Sequence, residues 1–291
     1  MGSRLAKIPC NTSGWFRSCP KNTTVKILIS IASLALLCTS PAFGAEATTK
    51  KKRGKRPSFK IPDSVEKREV TIWSDGTRMF GDLYLPKERK EGQKFPAIVF
   101  CNGTGGTRKG AVRFCATAAA NGFVALGFDY RGWGSSESQL MALDPQPKPD
   151  ENGEMTVKVR ALRWQMNYTD QTEDIRAAIS FISGEPSVDY KRIGIIGTSY
   201  GGGLVTSVAG MDARVKCLVA QVPGMGGQRS GRALYAAYAL ATRQARGDAE
   251  PVPFNTGKMG GKMSSYSQMR VNRAKTIGFS PHEAARKIKV P

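Results

Sequence analysis

The residues whose types and spacing could do chemistry are Gly197, Ser199 and Gly201, a Gly-x-Ser-x-Gly pentapeptide directly after a short apolar run. This pattern is typical of a nucleophile elbow, in which a strand turns sharply into a helix and leaves the serine hydroxyl exposed. Glycine on both sides removes side chains that would collide in so strained a turn. We predict that Ser199 is a nucleophile and that the amide of Tyr200 stabilises an oxyanion. A glycine-rich turn with an incidental serine is the alternative.

A serine nucleophile needs a general base, normally a histidine that a carboxylate orients. The chain has one histidine, His282. Its surroundings predict a helix start, with Ser280 at the N-cap, Pro281 at the first helical position and Glu283 closing a capping box. We therefore expect His282 to be an exposed residue of a first helical turn rather than the base.

Strands and helices alternate over residues 66–291, which predicts the α/β class, with a mainly parallel sheet and helices on both faces. Strands are predicted at 68–73, 79–85, 95–100, 123–128, 192–197 and 215–222, and helices at 111–120, 171–182, 204–210 and 281–287. The strands at 95–100, 123–128 and 215–222 are expected to be buried. Residues 136–167 are predicted to be irregular, and residues 223–280 a helical cap without a clear strand. Because active sites of such sheets lie at the carboxyl ends of strands, the glycine-rich loop 102–106 should meet Ser199.

Three motifs, at 81–86, 129–136 and 189–202, together resemble the α/β-hydrolase superfamily, in its dienelactone hydrolase and Xaa-Pro dipeptidyl-peptidase-like branch. The resemblance covers about residues 66–291. It implies that Ser199 is the nucleophile, that the amides of Thr104 and Tyr200 form the oxyanion hole, and that Gly197 and Gly201 permit the elbow. Where the family often has His-Gly, this chain has Asn102 before its glycine, a change that bears on loop rigidity.

The resemblance also implies that the triad carboxylate follows a seventh strand and the histidine an eighth. Residues 285–291 look like the lead-in to that seventh strand, so we expect an incomplete domain that lacks its last strands and is poorly soluble or unstable. The implied reaction is cleavage of a carboxylic ester or related acyl bond through an acyl-enzyme at Ser199. A peptidase that removes short N-terminal units, and a non-catalytic fragment or pseudoenzyme without the triad Asp and His, remain alternatives.

The N-terminus predicts export to the periplasm or the medium. Lys26 precedes an apolar run at 27–38 and small residues up to Gly44, as in a secretory signal peptide over residues 1–44. The apolar run is too short to span a membrane. Residues 1–24 are unusual for such a leader, so a start near Val25 is an alternative.

The formal net charge of +21 is concentrated partly in a flexible arm at 45–65, between Lys50 and Arg56 above all. We expect either contact with an acidic envelope surface or a solvated linker. Nucleic acid is excluded as a partner by export. Cys101, Cys115 and Cys217 are predicted to be buried free thiols, with a Cys101–Cys115 disulfide as the alternative.

No metal or cofactor is predicted, because the chain has one histidine, no Cys-x-x-Cys and no carboxylates at ligand spacing. The loop at 103–106 lacks the Gly-Lys-Ser/Thr ending of a phosphate-binding loop. A small-molecule ester or a short peptide is therefore the expected substrate. The sequence leaves the oligomeric state open.

Overall fold

The computed structural model describes residues 59–226, 231–252 and 270–291, all within one compact unit, Arg56–Pro291. The signal peptide predicted at 1–44 and most of the basic arm at 45–65 lie outside the described residues. So does the middle of the predicted cap. Within the described ranges, no helix has the length and apolarity needed to cross a membrane.

A six-stranded sheet is the centre of the fold. The strands of the described residues are β1 (Val65–Ser74), β2 (Thr77–Pro86), β3 (Phe95–Cys101), β4 (Val124–Phe128), β5 (Leu140–Ala142), β6 (Val159–Ala161), β7 (Gln165–Met166), β8 (Val188–Thr198), β9 (Val215–Gln221) and β10 (Arg270–Val271). The sheet order is β1-β2-β4-β3-β8-β9. The pairs β1–β2 and β2–β4 are antiparallel, whereas β4, β3, β8 and β9 run parallel. The mainly parallel sheet predicted from the sequence is confirmed.

Helices cover both faces of this sheet. They are α1 (Arg108–Ala120), α2 (Tyr168–Ser183), α3 (Tyr200–Ala209), α4 (Gly231–Arg246) and α5 (Pro281–Ala285), with a 3₁₀ turn at Ala274–Thr276. Side chains alternate between the faces along each strand. Leu83 and Leu85 therefore join the core that includes α2 and α3, whereas Tyr84 between them packs in the core of α1.

Short strands interrupt two regions that the sequence predicted to be without them. β5 pairs antiparallel with β6, and β7 pairs parallel with β10 from the predicted cap. These strands are two or three residues long and join segments far apart in the chain. Local sequence patterns carry no signal of such pairings, because a strand this short depends on its partner rather than on its own apolar periodicity.

The strand predicted at 215–222 forms β9, but its expected burial was wrong. Only Val215 is buried, and Cys217 and Val219 are exposed. The reason is that α1 packs over β2, β3 and β4 and leaves this face of β8 and β9 bare. An apolar groove of about 440 Å³ lies there, lined in part by Ile98 and Ile196. On the outer edge of β9, the amide of Leu218 donates a hydrogen bond of 2.8 Å to the carbonyl of Pro291.

The three described cysteines are free thiols. Cys101 and Cys115 are buried, as predicted, and they form no disulfide with one another. Burial raises the pKa of both thiols above the ordinary range. The prediction for Cys217 was wrong, because this thiol lies on the bare face of β9 and is exposed.

Candidate active site

Ser199 stands at the turn between β8 and α3 with φ 53° and ψ −116°, a backbone conformation that costs a non-glycine residue about 1–3 kcal/mol. Its side chain is exposed. Two hydrogen bonds hold this conformation: the Ser199 amide donates to the carbonyl of Gln221 at 2.9 Å, and the Ser199 carbonyl accepts from the amide of Gly224 at 2.7 Å. The turn is thus fixed by the end of β9 and the segment that follows it.

Glycine is required on both sides of Ser199 by close backbone contacts. A Cβ built on Gly197 would lie 2.9 Å from the amide nitrogen of Gly202 and closer still to the carbonyl of Gly201. A Cβ built on Gly201 would lie 2.9 Å from the carbonyl carbon of Asn102 and closer still to two carbonyl oxygens. The elbow therefore packs directly against the loop that follows β3.

The glycine-rich loop 102–106 touches Ser199, as the topology predicted. A Cβ on Gly103 would lie 3.4 Å from the Cβ of Ser199. The loop is closed by a bond of 3.0 Å from the amide of Gly106 to the carbonyl of Gly103, with Gly105 at φ 70°. This bond does not use the amide of Thr104.

A second amide on this side of the sheet belongs to Tyr200, the first residue of α3. Amides of a first helical turn have no partner within the helix. The structure thus brings Ser199 into contact with the loop that carries Thr104 and places Tyr200 beside it. The oxyanion role of the two amides stays a prediction.

Asn102 fastens the loop where the resembled family often has histidine. Its side chain is buried, and Nδ2 donates a hydrogen bond of 3.1 Å to the carbonyl of Phe128 at the end of β4. The loop is thereby tied to the neighbouring strand. The backbone donor of Thr104 does not depend on the identity of the side chain at position 102.

An aromatic cluster lies behind the elbow. The Tyr200 ring stacks on Trp133 at a centroid distance of 5.9 Å and contacts Tyr168 at 5.1 Å. Its hydroxyl donates to Oε1 of Gln171 on α2. Sequence reasoning missed Gln171. The available signal was Tyr200 itself, since a buried tyrosine hydroxyl usually requires a partner.

Three of the four aspartates that are buried in the described residues, Asp82, Asp129 and Asp174, have partners that serve the fold, and the fourth, Asp212, pairs with Arg214. The Asp174 carboxylate accepts two hydrogen bonds from Arg131, one from Nε at 2.6 Å and one from the Arg131 backbone amide at 2.9 Å. Ser74 Oγ donates a third at 2.9 Å. Burial raises the pKa of Asp174 from 3.8 to about 6, although Arg131 acts in the opposite direction. Asp82 pairs with Arg108 at 2.6 Å.

The third carboxylate belongs to Asp129, which accepts from the amides of Arg108 at 2.6 Å and Ser135 at 2.9 Å. It stands directly after β4 and organises the loop that the sequence motif at 129–136 encodes. All three carboxylates therefore already serve the fold, and none of these bonds goes to a histidine.

His282 is an exposed residue of α5, as predicted. Ser280 caps the helix by accepting from the amide of Glu283 at 3.4 Å, and Nε2 of His282 lies 3.0 Å from the carbonyl of Gly226. This hydrogen bond goes to the backbone and not to Ser199. Over the part of the chain that the structure covers, no cluster of three or more His, Cys, Asp or Glu side chains could hold a metal ion.

Comparison with known proteins places this geometry in a family. The acetyl xylan esterase (AXE1) family matches residues 60–231, more than half of the chain. A 31.7 kDa protein of the traX–finO intergenic region of Escherichia coli is 35% identical over 130 residues, which are 44% of this chain and 37% of that protein. The chain thus matches well under half the length of this relative.

Two solved structures share the fold. Protein PA2218 of Pseudomonas aeruginosa has a TM-score of 0.51 and 27% identity, over 80% of this chain and 74% of its own. The α/β hydrolase GrgF of Penicillium sp. sh18 has a TM-score of 0.53 and 18% identity, over 77% of this chain and 76% of its own, and shows the fold alone. The resemblance to the α/β-hydrolase superfamily inferred from the sequence is confirmed, whereas the finer branch stays a prediction: the chain has the α/β-hydrolase fold and belongs to the acetyl xylan esterase (AXE1) family.

Proposed function

We propose that this protein is an exported serine hydrolase that cleaves carboxylic esters through an acyl-enzyme at Ser199. One observation carries the proposal: Ser199 is exposed in a strained elbow and touches the loop that bears the Thr104 amide. Strained, exposed residues cluster at active sites. Membership of an esterase family supports an ester of a small acyl group as the substrate.

The proposed reaction proceeds in two halves. Ser199 Oγ forms a bond to the ester carbonyl carbon and gives its proton to a general base, while the amides of Thr104 and Tyr200 bind the oxyanion. The intermediate collapses, the carbon–oxygen bond to the alcohol breaks, and the alcohol leaves with the proton that the base returns. Water then attacks the acyl-enzyme in the same way and releases the carboxylic acid and free Ser199.

The base and the acid of the triad are not assigned to described residues. His282 is bound to the carbonyl of Gly226, and the buried carboxylates of Asp82, Asp129 and Asp174 are held by arginine and backbone donors. The expectation that both groups lie beyond Pro291 stays a prediction.

A fluorophosphonate probe tests the nucleophile, because it forms a covalent bond with an activated serine. The wild type and a Ser180→Ala control, which changes an exposed serine of α2, should both be labelled and should hydrolyse p-nitrophenyl acetate. Ser199→Ala should lose both signals, by a factor of about 10³ or more for hydrolysis. Equal labelling of Ser199→Ala, or no labelling of the wild type, would refute the proposal.

Two further measurements separate the remaining alternatives. An aminoacyl-proline p-nitroanilide offered beside the ester distinguishes peptidase from esterase activity, and we expect cleavage of the ester alone. Mass spectrometry of the protein from a bacterial host tests export: we expect a mature N-terminus directly after Gly44. An intact leader on all of the protein would contradict export.

A further inference from the structure

The side chain of Tyr200 points away from solvent into the core beneath the elbow. It is 6% exposed, and its hydroxyl donates a hydrogen bond to Oε1 of Gln171, which is 1% exposed. Trp133 stacks on its ring at 5.9 Å, with 22° between the planes, and Tyr168 lies against it at 5.1 Å. The residue directly after Ser199 is thus held by one polar and two aromatic contacts.

The first turn of α3 depends on this side chain more than most helices do. Tyr200 is followed by Gly201, Gly202 and Gly203, so no other residue of that turn has a side chain with which to hold it. Each glycine costs a helix about 1 kcal/mol relative to alanine, which leaves the turn with little intrinsic rigidity. The peptide plane between Ser199 and Tyr200 is therefore held at one end by the 2.7 Å bond from the Gly224 amide to the Ser199 carbonyl, and at the other by the Tyr200 side chain.

Gln171 is itself rigidly oriented. Its Nε2 donates to the carbonyl of Gln165 at 3.4 Å, and the same carbonyl accepts from Trp133 Nε1 at 2.7 Å. With Nε2 engaged, Oε1 faces the Tyr200 hydroxyl. The carbonyl of Gln165 thus orients both Gln171, which accepts from the Tyr200 hydroxyl, and Trp133, on which the Tyr200 ring stacks.

Helix α2 connects the Tyr200 side chain to the loop after β4. Residues three apart lie on the same face of a helix, and Asp174 stands three positions after Gln171. Asp174 binds Arg131 at 2.6 Å in a buried ion pair, and Arg131 lies two residues before Trp133. Helix α2 therefore supports the Tyr200 side chain in two ways. Gln171 accepts the hydrogen bond of its hydroxyl, and Asp174 binds Arg131, which lies two residues before the stacking partner Trp133.

We propose that Gln171 is a positioning residue of the oxyanion site, which acts through the hydroxyl of Tyr200 to fix the direction of the Tyr200 amide. This inference rests on the proposed function, since it gives the hydrogen bond a part in the chemistry at Ser199. The bond does not touch the substrate. Its loss should lower the rate of the chemical step and leave substrate binding unchanged, because the amide would act on the charge that develops in the transition state.

A double-mutant cycle tests the proposal. Tyr200→Phe removes the donor, Gln171→Met removes the acceptor, and Tyr190→Phe makes the same chemical change at an exposed site of β8 as a control. Each of the first two should lower kcat about tenfold with KM unchanged, and the double variant should lose about tenfold in all rather than a hundredfold. Wild-type kcat in Tyr200→Phe, or a multiplicative loss in the double variant, would overturn the proposal.

Hydrogen exchange of the amides at 199–203 gives a second measurement that does not need catalysis. Exchange there should be about tenfold faster in Tyr200→Phe and Gln171→Met than in Tyr190→Phe, with exchange in the central strands unchanged. Unchanged exchange at 199–203 would overturn the inference whatever the activity. If exchange at 199–203 is faster in both variants but fluorophosphonate does not label the wild type, Gln171 still anchors Tyr200, and the proposed function is refuted instead.

Discussion

Replacing Gly201 with alanine should disrupt the contact between the elbow and the loop after β3. The new Cβ would lie within 2.9 Å of the carbonyl carbon of Asn102 and nearer still to the oxygens of Cys101 and Asn102. Carbon–oxygen contacts in proteins are ordinarily 3.3 Å or more, so the two segments must separate by about 0.9 Å to relieve the contacts with the two oxygens. Both partners are backbone atoms and cannot rotate away, unlike the end of a flexible side chain.

The expected cost follows from two opposing contributions. Overpacking of a rigid site costs about 3 kcal/mol, the upper end of the usual range, because nothing nearby can yield cheaply. Alanine in place of glycine within a helix returns about 1 kcal/mol. The net loss is about 2 kcal/mol, which corresponds to a fall in Tm of about 4–8 °C for a domain of this size.

The assay compares Gly201→Ala with Gly184→Ala by thermal unfolding and by the rate of fluorophosphonate labelling. Gly184 ends α2 with φ −87°, and a Cβ there would meet only the carbonyl of Phe181 at an ordinary 3.6 Å. Gly184→Ala should unfold at the wild-type temperature and label at the wild-type rate. Gly201→Ala should also label about tenfold more slowly, because the elbow and the loop have separated. A Tm for Gly201→Ala within about 1 °C of the control would refute the steric reasoning.

Three further predictions concern charge, surface and thiols. Burial raises the pKa of Asp174 to about 6 in the folded state from 3.8. As the pH rises, Asp174 therefore loses its proton in the unfolded chain before it does so in the folded protein. The free energy of unfolding of the wild type should fall by roughly 3 kcal/mol as the pH rises from about 4 to about 6. In Asp174→Asn this loss should be absent from urea unfolding at the two pH values, and an identical pH dependence would contradict it. Val219→Lys, on the bare apolar face, should reduce self-association in light scattering and change stability by less than about 0.5 kcal/mol, and unchanged scattering would contradict it. Iodoacetamide should modify exposed Cys217 faster than buried Cys101, as peptide mass spectrometry would show, and equal rates would contradict the burial of Cys101.

The central strands could be predicted from the sequence because burial on both faces leaves a continuous apolar run. β3 and β4 begin and end within one residue of their predicted bounds. β8 begins four residues earlier than predicted, at Val188, because the half-buried Asp189 and the exposed Lys191 interrupt the apolar pattern near its start. An apolar pattern marks the buried part of a strand, and pairing with a neighbour extends the strand beyond it.

The exposure of β9 could not be predicted in the same way. The apolar run at 215–222 indicates a strand, but such a run is equally consistent with helices packed on both faces of the strand and with helices packed on one face. The difference depends on where α1 packs, and on that face α1 contacts β1, β2, β3 and β4 rather than β8 and β9. The same limit applies to Gln171, whose partner Tyr200 lies 29 positions away and whose own sequence neighbourhood reads as an ordinary helix start.

The candidate nucleophile shows why a pentapeptide alone is an incomplete description of such a site. The strain at Ser199 costs about 1–3 kcal/mol, and a backbone hydrogen bond contributes about 0.5–1.5 kcal/mol net. The bonds from Gln221 and Gly224 can therefore offset the strain together, whereas neither suffices alone at the upper end of that range. Both lie more than twenty residues after Ser199, at the end of β9 and in the segment that follows it. The elbow is thus a property of the assembled sheet: β8 and α3 supply its residues, and β9 and the segment after it supply the bonds that keep it strained.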